Sequence, residues 1–336
     1  MSVERVLRIC RQHDEARGLR LALLDELRVA VGFDAYSWLL TDPETEVGCA
    51  PLADVPCLPE LPRLIRLKYL TATNRWTGLE APVALLGSQR GDSLVWRDML
   101  AGYRVEDVAS VVFRDRFGCW AFLELWRIGP ARPFSAADSR FLTAIAAPVT
   151  EALRRCQART FEAVPVPPER TGPVVLMLSS ELDVRAQTPE ADRYLRALVP
   201  PDDERRPVPS GAYNVAAQLL AVEAGVDDHR PSARVHLSGG AWLTLRAARI
   251  GDAPPDIAVT IETASPVERT EVFARASGLT ARESELLRHL VAGADTRHIA
   301  ERMFLSEHTV QDHLKSVFAK SGTHNRRTLI ARVAGR

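Results

Sequence analysis

His308, Gln311, Asp312 and Lys315 are spaced so that a helix through them carries all four on one side. Their types suit base edges rather than bond-making. An amide both donates and accepts, a carboxylate accepts from a cytosine amino group, and an ammonium donates to a guanine edge or a phosphate. Val310, Leu314, Val317 and Phe318 recur at helical spacing and define the opposite, apolar side. Ser306 is suited to cap this helix and Gly322 to stop it. Lys320 lies near its end, where an ammonium can meet a phosphate oxygen.

Three further helices are needed to position that face. Thr280 followed three residues later by Glu283 is a capping-box pattern, after which Leu286, Leu287, Leu290 and Val291 line one side and Gly293 supplies a left-handed stop. A second helix is expected from Thr296 to Met303, burying Ile299, Ala300 and Met303, with Phe304-Leu305 as a short connection bearing an apolar anchor. Asn325 can cap a fourth, in which Leu329, Ile330 and Val333 share a side. This order builds a helix-turn-helix, which sets one helix into a DNA major groove. Residues 296–336 hold eight basic and three acidic side chains, a net of +5 on a chain whose total is zero. Two of the chain's three lysines, Lys315 and Lys320, fall in the one helix. A positive end on an otherwise mildly acidic chain is the electrostatic footprint of a nucleic-acid-binding module.

The segment from Leu279 to Val333, roughly a sixth of the chain, resembles the LuxR-type (GerE-type) DNA-binding domain of bacterial transcription regulators. The residues that carry the likeness are Leu279-Thr280-x-Arg282-Glu283, Gly293, Ile299-Ala300, Leu305-Ser306, Thr309-Val310, His313, Lys320, Gly322 and Arg326. The resemblance implies a four-helix domain, its third helix in the groove and dimerisation through its fourth. It also implies that Gln311, Asp312 and Lys315 face base edges, while Thr296, Arg297, Thr309, Lys320 and Arg326 contact or lie near the phosphate backbone. Double-stranded DNA is thus the expected partner, with a second copy of the chain and RNA polymerase as further candidates. Gln311 and Asp312 depart from the lysine and small residue common at their positions, and Thr323 replaces an apolar residue.

Competing chemistries lack their residues. Glu283 reads as structural, pairing with a cap or a basic side chain. His289, His298, His308, His313 and His324 match no metal-ligand spacing, so no metal is expected. There is no Walker loop, GxGxxG, GxSxG or HExxH, nor the acidic cluster and lysine of a phosphoacceptor domain; no catalytic residue is assigned. Five scattered cysteines without a CxxC fit reduced, buried thiols of a cytoplasmic protein. No apolar run approaches the ~20 residues of a membrane span, and the charged N-terminus lacks a signal-peptide core.

At 336 residues the chain has room for two or three domains, and a multidomain α+β architecture is expected. In residues 1–160, helices are expected at Leu19–Val31 and Leu61–Leu70. A strand is expected at Phe33–Leu40, and a strong hairpin pairs Val108–Arg114 with Cys119–Trp126 through a turn ending in Gly118. Trp120, Phe122 and Trp126 are expected on one face of that last strand, which reads as central and able to cover a cavity. A long helix follows Ser135, with a kink expected at Pro148. With Gly32-Phe33-Asp34 and Phe134-Ser135-x-x-Asp138-x-x-Phe141-Leu142, this block resembles a GAF-type sensory module, with five of the chain's six tryptophans as candidate pocket walls. Residues 171–264 read as strand, turn, strand and helix, then three antiparallel strands, and resemble a PAS-like domain, although Thr188 stands where asparagine is common. No cofactor is indicated, and a small-molecule ligand is a candidate for this N-terminal region. Pro-rich stretches at 164–170 and 199–207 read as a linker and an exposed loop, and no internal repeat is visible. Ser265-Pro266 opens a connecting helix over 265–278 into the DNA-binding segment at 279–336. The rival reading is an enzyme or signalling protein whose C-terminal helices serve only for dimerisation.

Overall fold

The computed structural model describes residues 3–130, 132–162, 174–198, 209–237, 240–252 and 255–335. The expected linker at 164–170, the loop at 199–207, Ser238-Gly239 and Arg336 lie outside the described residues.

The first unit runs α1 (Val3–Gln12), α2 (Ala16–Ala30), β1 (Ala35–Thr41), β2 (Gly48–Asp54), α3 (Leu61–Leu70), β3 (Val83–Leu85), β4 (Val105–Asp115), β5 (Gly118–Ile128) and α4 (Ala136–Arg159). Its antiparallel sheet has the order β2-β1-β5-β4-β3, so β5, apolar on both faces, is the middle strand. Helices α1, α2 and α4 bury one face and α3 packs on the other. Gly118 turns the β4–β5 hairpin at φ 149°; any Cβ there would lie 2.2 Å from the carbonyl oxygen of Pro43. Trp120 does not share a face with Phe122 and Trp126 as strict alternation requires. A register shift between β4 and β5 at Phe113/Arg114 sends it to the α-helical side with Leu123 and Leu125, and its indole donates to Asp115 at 3.0 Å. Helix α4 carries the expected capping box at Ser135 and Asp138 and runs on through Pro148.

The second unit comprises β6 (Val174–Leu178), β7 (Val184–Gln187), α5 (Ala191–Leu198), α6 (Ser210–Glu223), β8 (Ser232–His236), β9 (Trp242–Ile250) and β10 (Asp256–Thr263). Its order, β7-β6-β10-β9-β8, repeats that of the first sheet when strands are counted within each unit. The chain therefore repeats a topology without repeating a sequence. Helix α6 lies on β9 and also packs on α3 and β2 of the first unit, so one apolar core runs through both.

Helix α7 (Pro266–Ala276) follows, opened by a Ser265–Glu268 capping box, and leads into α8 (Ala281–Val291), α9 (Thr296–Met303), α10 (Glu307–Ser321) and α11 (Arg326–Ala334). Phe273 of α7 meets Phe161, which stacks on Trp242. Arg269 of α7 donates to the carbonyls of Val333 (2.8 Å) and Arg332 (3.2 Å), satisfying free acceptors at the end of α11.

One guanidinium joins the three parts. Arg234 on β8 donates to both carboxylate oxygens of Asp42 at 2.7 Å, to Glu44 at 2.8 Å and to Glu271 of α7 at 2.9 Å. Asp42 is fully buried; burial pushes its carboxyl upward, but Arg234 and backbone N–H donors outweigh this and hold it below the usual range. Arg234→Met leaves that carboxylate unpaired and is expected to cost about 3–5 kcal/mol in urea denaturation, with partial recovery on adding Asp42→Asn. Because the folded-state value is depressed, the ion pair's contribution is present above the ordinary carboxylate range and fades as pH falls below it. An unchanged urea midpoint in Arg234→Met would remove this role.

All five cysteines are free and buried. Burial pushes Cys49 and Cys119 up to about 12 and Cys10, Cys57 and Cys156 to about 11, so they stay protonated thiols. Ellman's reagent is expected to modify none of them in the native chain and all of them in denaturant; rapid native reaction would contradict this burial.

Candidate DNA-binding interface

Each helix of the C-terminal domain begins and ends where its sequence dictates. Thr280 accepts from the Glu283 N–H at 3.3 Å while Glu283 accepts from the Thr280 N–H at 2.6 Å, closing the capping box on α8. Asp295, Ser306 and Asn325 cap α9, α10 and α11 by accepting from the backbone three residues on. Gly322 ends α10 in the left-handed region. Ile299, Met303, Val310, Leu314, Val317, Leu329 and Val333 form the small core beneath.

Between α9 and α10 the connection is Phe304-Leu305. Leu305 is the packed anchor, whereas Phe304 is 94% exposed and adopts a left-handed φ of 56°. The non-glycine residue in that conformation turns the chain sharply enough to set α10 across α9.

Helix α10 presents His308, Gln311, Asp312 and Lys315 to solvent, with Lys315's side chain 72% exposed. Without DNA they pair among themselves. Lys315 donates to Asp312 at 2.9 Å, which holds that carboxyl below its usual range, and His308 lies 3.6 Å from the same carboxylate. Gln311 reaches Thr296 on α9 at 3.5 Å, so these two sit side by side across the turn. Arg297 is exposed and pairs loosely with Glu301 at 3.3 Å. Thr309 shares a hydroxyl contact of 2.8 Å with Ser306 at the start of α10. Arg326, half-buried, donates to the carbonyl of Ala294 and ties α11 to the turn before α9.

Lys320 sits differently from the rest. Its ammonium donates to both oxygens of Glu283, at 2.8 and 2.6 Å, and Ser316 adds a third hydrogen bond at 2.6 Å. Glu283 is 4% exposed. Burial raises its pKa, but hydrogen bonds from Lys320, Ser316 and Thr280 outweigh this and bring it from 4.5 to about 2. The structural reading of Glu283 is thereby given its partners: it anchors α10 to α8.

The residues that spacing did not single out are Arg234 and Arg269, whose partners lie in distant segments. Among the described residues the one grouping with metal-ligating types is Asp227, Asp228 and His229; there Asp227 already takes His229, Arg75 and Thr77, each at 2.7 Å, while the Asp228 side chain is exposed.

Lys320→Met is expected to destabilise the domain by about 3 kcal/mol by stranding a buried carboxylate, read as a lower thermal midpoint. With a depressed folded-state pKa, the Glu283 contribution is full above about 4.5 and is lost as the pH falls toward 2. The gap between wild type and Glu283→Gln should therefore narrow in acid; a constant gap would show that the charge is not the stabilising element.

Residues 277–333 match the family model described as bacterial regulatory proteins, luxR family. No curated protein matches the chain. Among solved structures, the chain is similar to SdiA of Escherichia coli, at 11% identity over 99% of this chain and 96% of that one, with a TM-score of 0.38. It is also similar to VqmA bound to DPO, at 19% identity over 48% and 85% of the two chains and a TM-score of 0.19. A third likeness is to the bacteriophytochrome RpBphP3 of R. palustris, at 12% identity over 78% and 61% and a TM-score of 0.31. The capped helices, the packed core and the family match agree on the same stretch of chain: residues 277–333 form a GerE domain of the luxR family of bacterial regulatory proteins.

Proposed function

We propose that the chain is a ligand- or partner-responsive transcription regulator that docks on double-stranded DNA as a homodimer. The observation that carries this is the exposed polar face of α10, held on a capped, packed helix-turn-helix within a net-positive segment. Gln311, Asp312 and Lys315 face base edges, and Thr296, Arg297 and Thr309 approach the phosphate backbone. Arg326 stands close to that backbone while bracing the turn before α9. Lys320 acts mainly through Glu283, fixing the angle of α10. The fourth helix pairs with a second copy, and RNA polymerase is a further partner. The two upstream sheets serve as GAF-like (1–160) and PAS-like (171–264) sensory units, and α7 within 265–278 links them to the reader at 279–336. Their equal strand order and their ion-paired junction support reading them as one sensory body. The chain performs no catalysis and acts in the cytoplasm; no helix among the described residues is long and apolar enough to cross a membrane.

The test uses an operator selected from random duplexes by the full chain, with fluorescence anisotropy at several salt concentrations. Lys315→Ala is expected to weaken operator binding about tenfold and to relax preference at the base pair it faces, whereas Arg297→Ala should lower the salt slope by about one. Asp312→Ala removes the carboxylate that occupies Lys315 and repels phosphate, so it should strengthen binding to unselected DNA while eroding preference for the operator. Affinity unchanged in both α10 variants would remove α10 from the interface. No DNA binding at all would favour helices that only dimerise.

A further inference from the structure

Between the start of α2, the end of α4 and strands β8 and β9 lies a cavity of about 570 Å³, well within the size of small-molecule sites. Leu40, Ala50, Val235 and Trp242 make much of its wall apolar. Its polar edge is the first turn of α2, where Glu15 stands at the cap position without a side-chain hydrogen bond. No side chain caps the backbone N–H groups of that turn, and the positive end of a helix dipole favours negative charge.

A second observation lies one turn along the helix. Arg20 lines the same cavity and is only 3% exposed, yet no carboxylate pairs with it among the described residues. Its Nε donates at 3.2 Å to the Ala16 carbonyl, which draws the guanidinium back beside the first turn. Nη1 donates to the carbonyls of Trp38 (3.0 Å) and Ala50 (2.8 Å), while Nη2, without a partner among the described residues, stays accessible. Burial brings the Arg20 pKa down to about 10, as befits a cation lacking its counter-ion; Arg234, with three carboxylates, is held up instead. Most other charges on the lining are already spent. Arg159 meets Asp14 at 2.6 Å, Arg234 meets Asp42, Glu44 and Glu271, and Glu162 lies 3.9 Å from Arg332. Arg17 and Arg20 then stand against Glu15 alone, an excess of one positive charge.

We propose that this cavity binds an organic monocarboxylate, its carboxylate held by Arg20 and the first-turn N–H groups of α2 and its apolar body resting against Leu40, Val235 and Trp242. A carboxylate accepts well from a guanidinium and carries the single charge that the lining lacks. A phosphate dianion would bring one charge too many beside Glu15. This rests on the reading that the upstream units sense a ligand, and it adds where and by what chemistry. Because the wall comes from α2 and α4 of the first unit and from β8 and β9 of the second, the bound molecule favours the arrangement that keeps the two units together.

The experiment titrates the full chain by calorimetry at neutral pH with three probes of similar shape: 1-naphthoate, the uncharged 1-naphthamide and the dianionic 1-naphthyl phosphate. Wild type is expected to bind naphthoate saturably, one per chain, and about tenfold tighter than either of the others. Arg20→Gln should abolish the preference over the amide, and Gln157→Trp, which fills the cavity from the half-exposed end of α4, should abolish binding of all three. If Arg20→Gln does not unfold cooperatively, the preference in wild type and the loss in Gln157→Trp decide alone. Equal affinity for naphthoate and naphthamide overturns the role of Arg20, and tighter binding of the phosphate overturns the monoanion. Undiminished binding in a folded Gln157→Trp, or no saturable naphthoate binding in wild type, overturns the site. Native mass spectrometry and operator binding separate this from ligand sensing itself. A co-purified molecule that Arg20→Gln and Gln157→Trp retain equally well keeps ligand sensing and removes this cavity. Naphthoate binding as expected with operator affinity unchanged keeps the cavity and removes its control of the reader.

Discussion

The arrangement of the whole chain depends on Arg234. Its guanidinium meets carboxylates from a first-unit loop (Asp42 and Glu44) and from the connecting helix α7 (Glu271), while its own backbone belongs to the second sheet. Only arginine has enough fixed donors to meet three carboxylates at once. A buried ion pair adds little net stability over an apolar substitute, since desolvation offsets most of the attraction. What it imposes is geometry: Asp42 is fully buried and cannot lose this partner without stranding a charge. The two sheets and α7 are thereby held in one relation.

Helix α7 carries that relation onward. Phe273 closes against Phe161, which stacks on Trp242 of the second sheet, and Arg269 holds the last carbonyls of α11. Farther out the chemistry changes from packing to exposed charge. Glu283 and Lys320 fix α10 on α8, leaving Lys315 and its neighbours outside to exchange internal partners for those of a duplex. Upstream, α6 packs on strands of both sheets and so forms a second, apolar tie between the two units. A demonstrated two-state element, not position alone, is what would turn this continuity into regulation.

The C-terminal domain was legible because its signals are local. Caps lie three residues from their partners, and the apolar stripe of α10 follows one period. The fate of Lys320 was not legible, since its partner Glu283 lies 37 residues away and nothing in the spacing of either announces the pair. Arg234 is harder still, with Asp42 separated from it by 192 positions. Helix α6 escaped notice because it is buried nearly all round and rich in alanine, leaving no amphipathic stripe to read. Trp120 was misplaced because one bulge shifts the two-residue period of a strand. β5 as a central strand with a cavity against it was readable from its two apolar faces. The shared strand order of the two sheets left no trace in sequence, since topology is set by pairing and not by residue identity.

The most direct measurement places a DNA-cutting iron chelate on the outer face of α10. His308→Cys, on the first turn of α10 and outside the three residues placed against base edges, offers one exposed thiol on a chain whose native thiols are all buried, so the chelate can be attached there alone. On an operator selected by the full chain, strand cutting is expected in two clusters about one helical turn apart, each centred on a major groove. Cutting confined to a single cluster would contradict the paired arrangement. Cutting scattered along the duplex, or absent while the labelled chain remains bound, would contradict the placement of α10 in the groove.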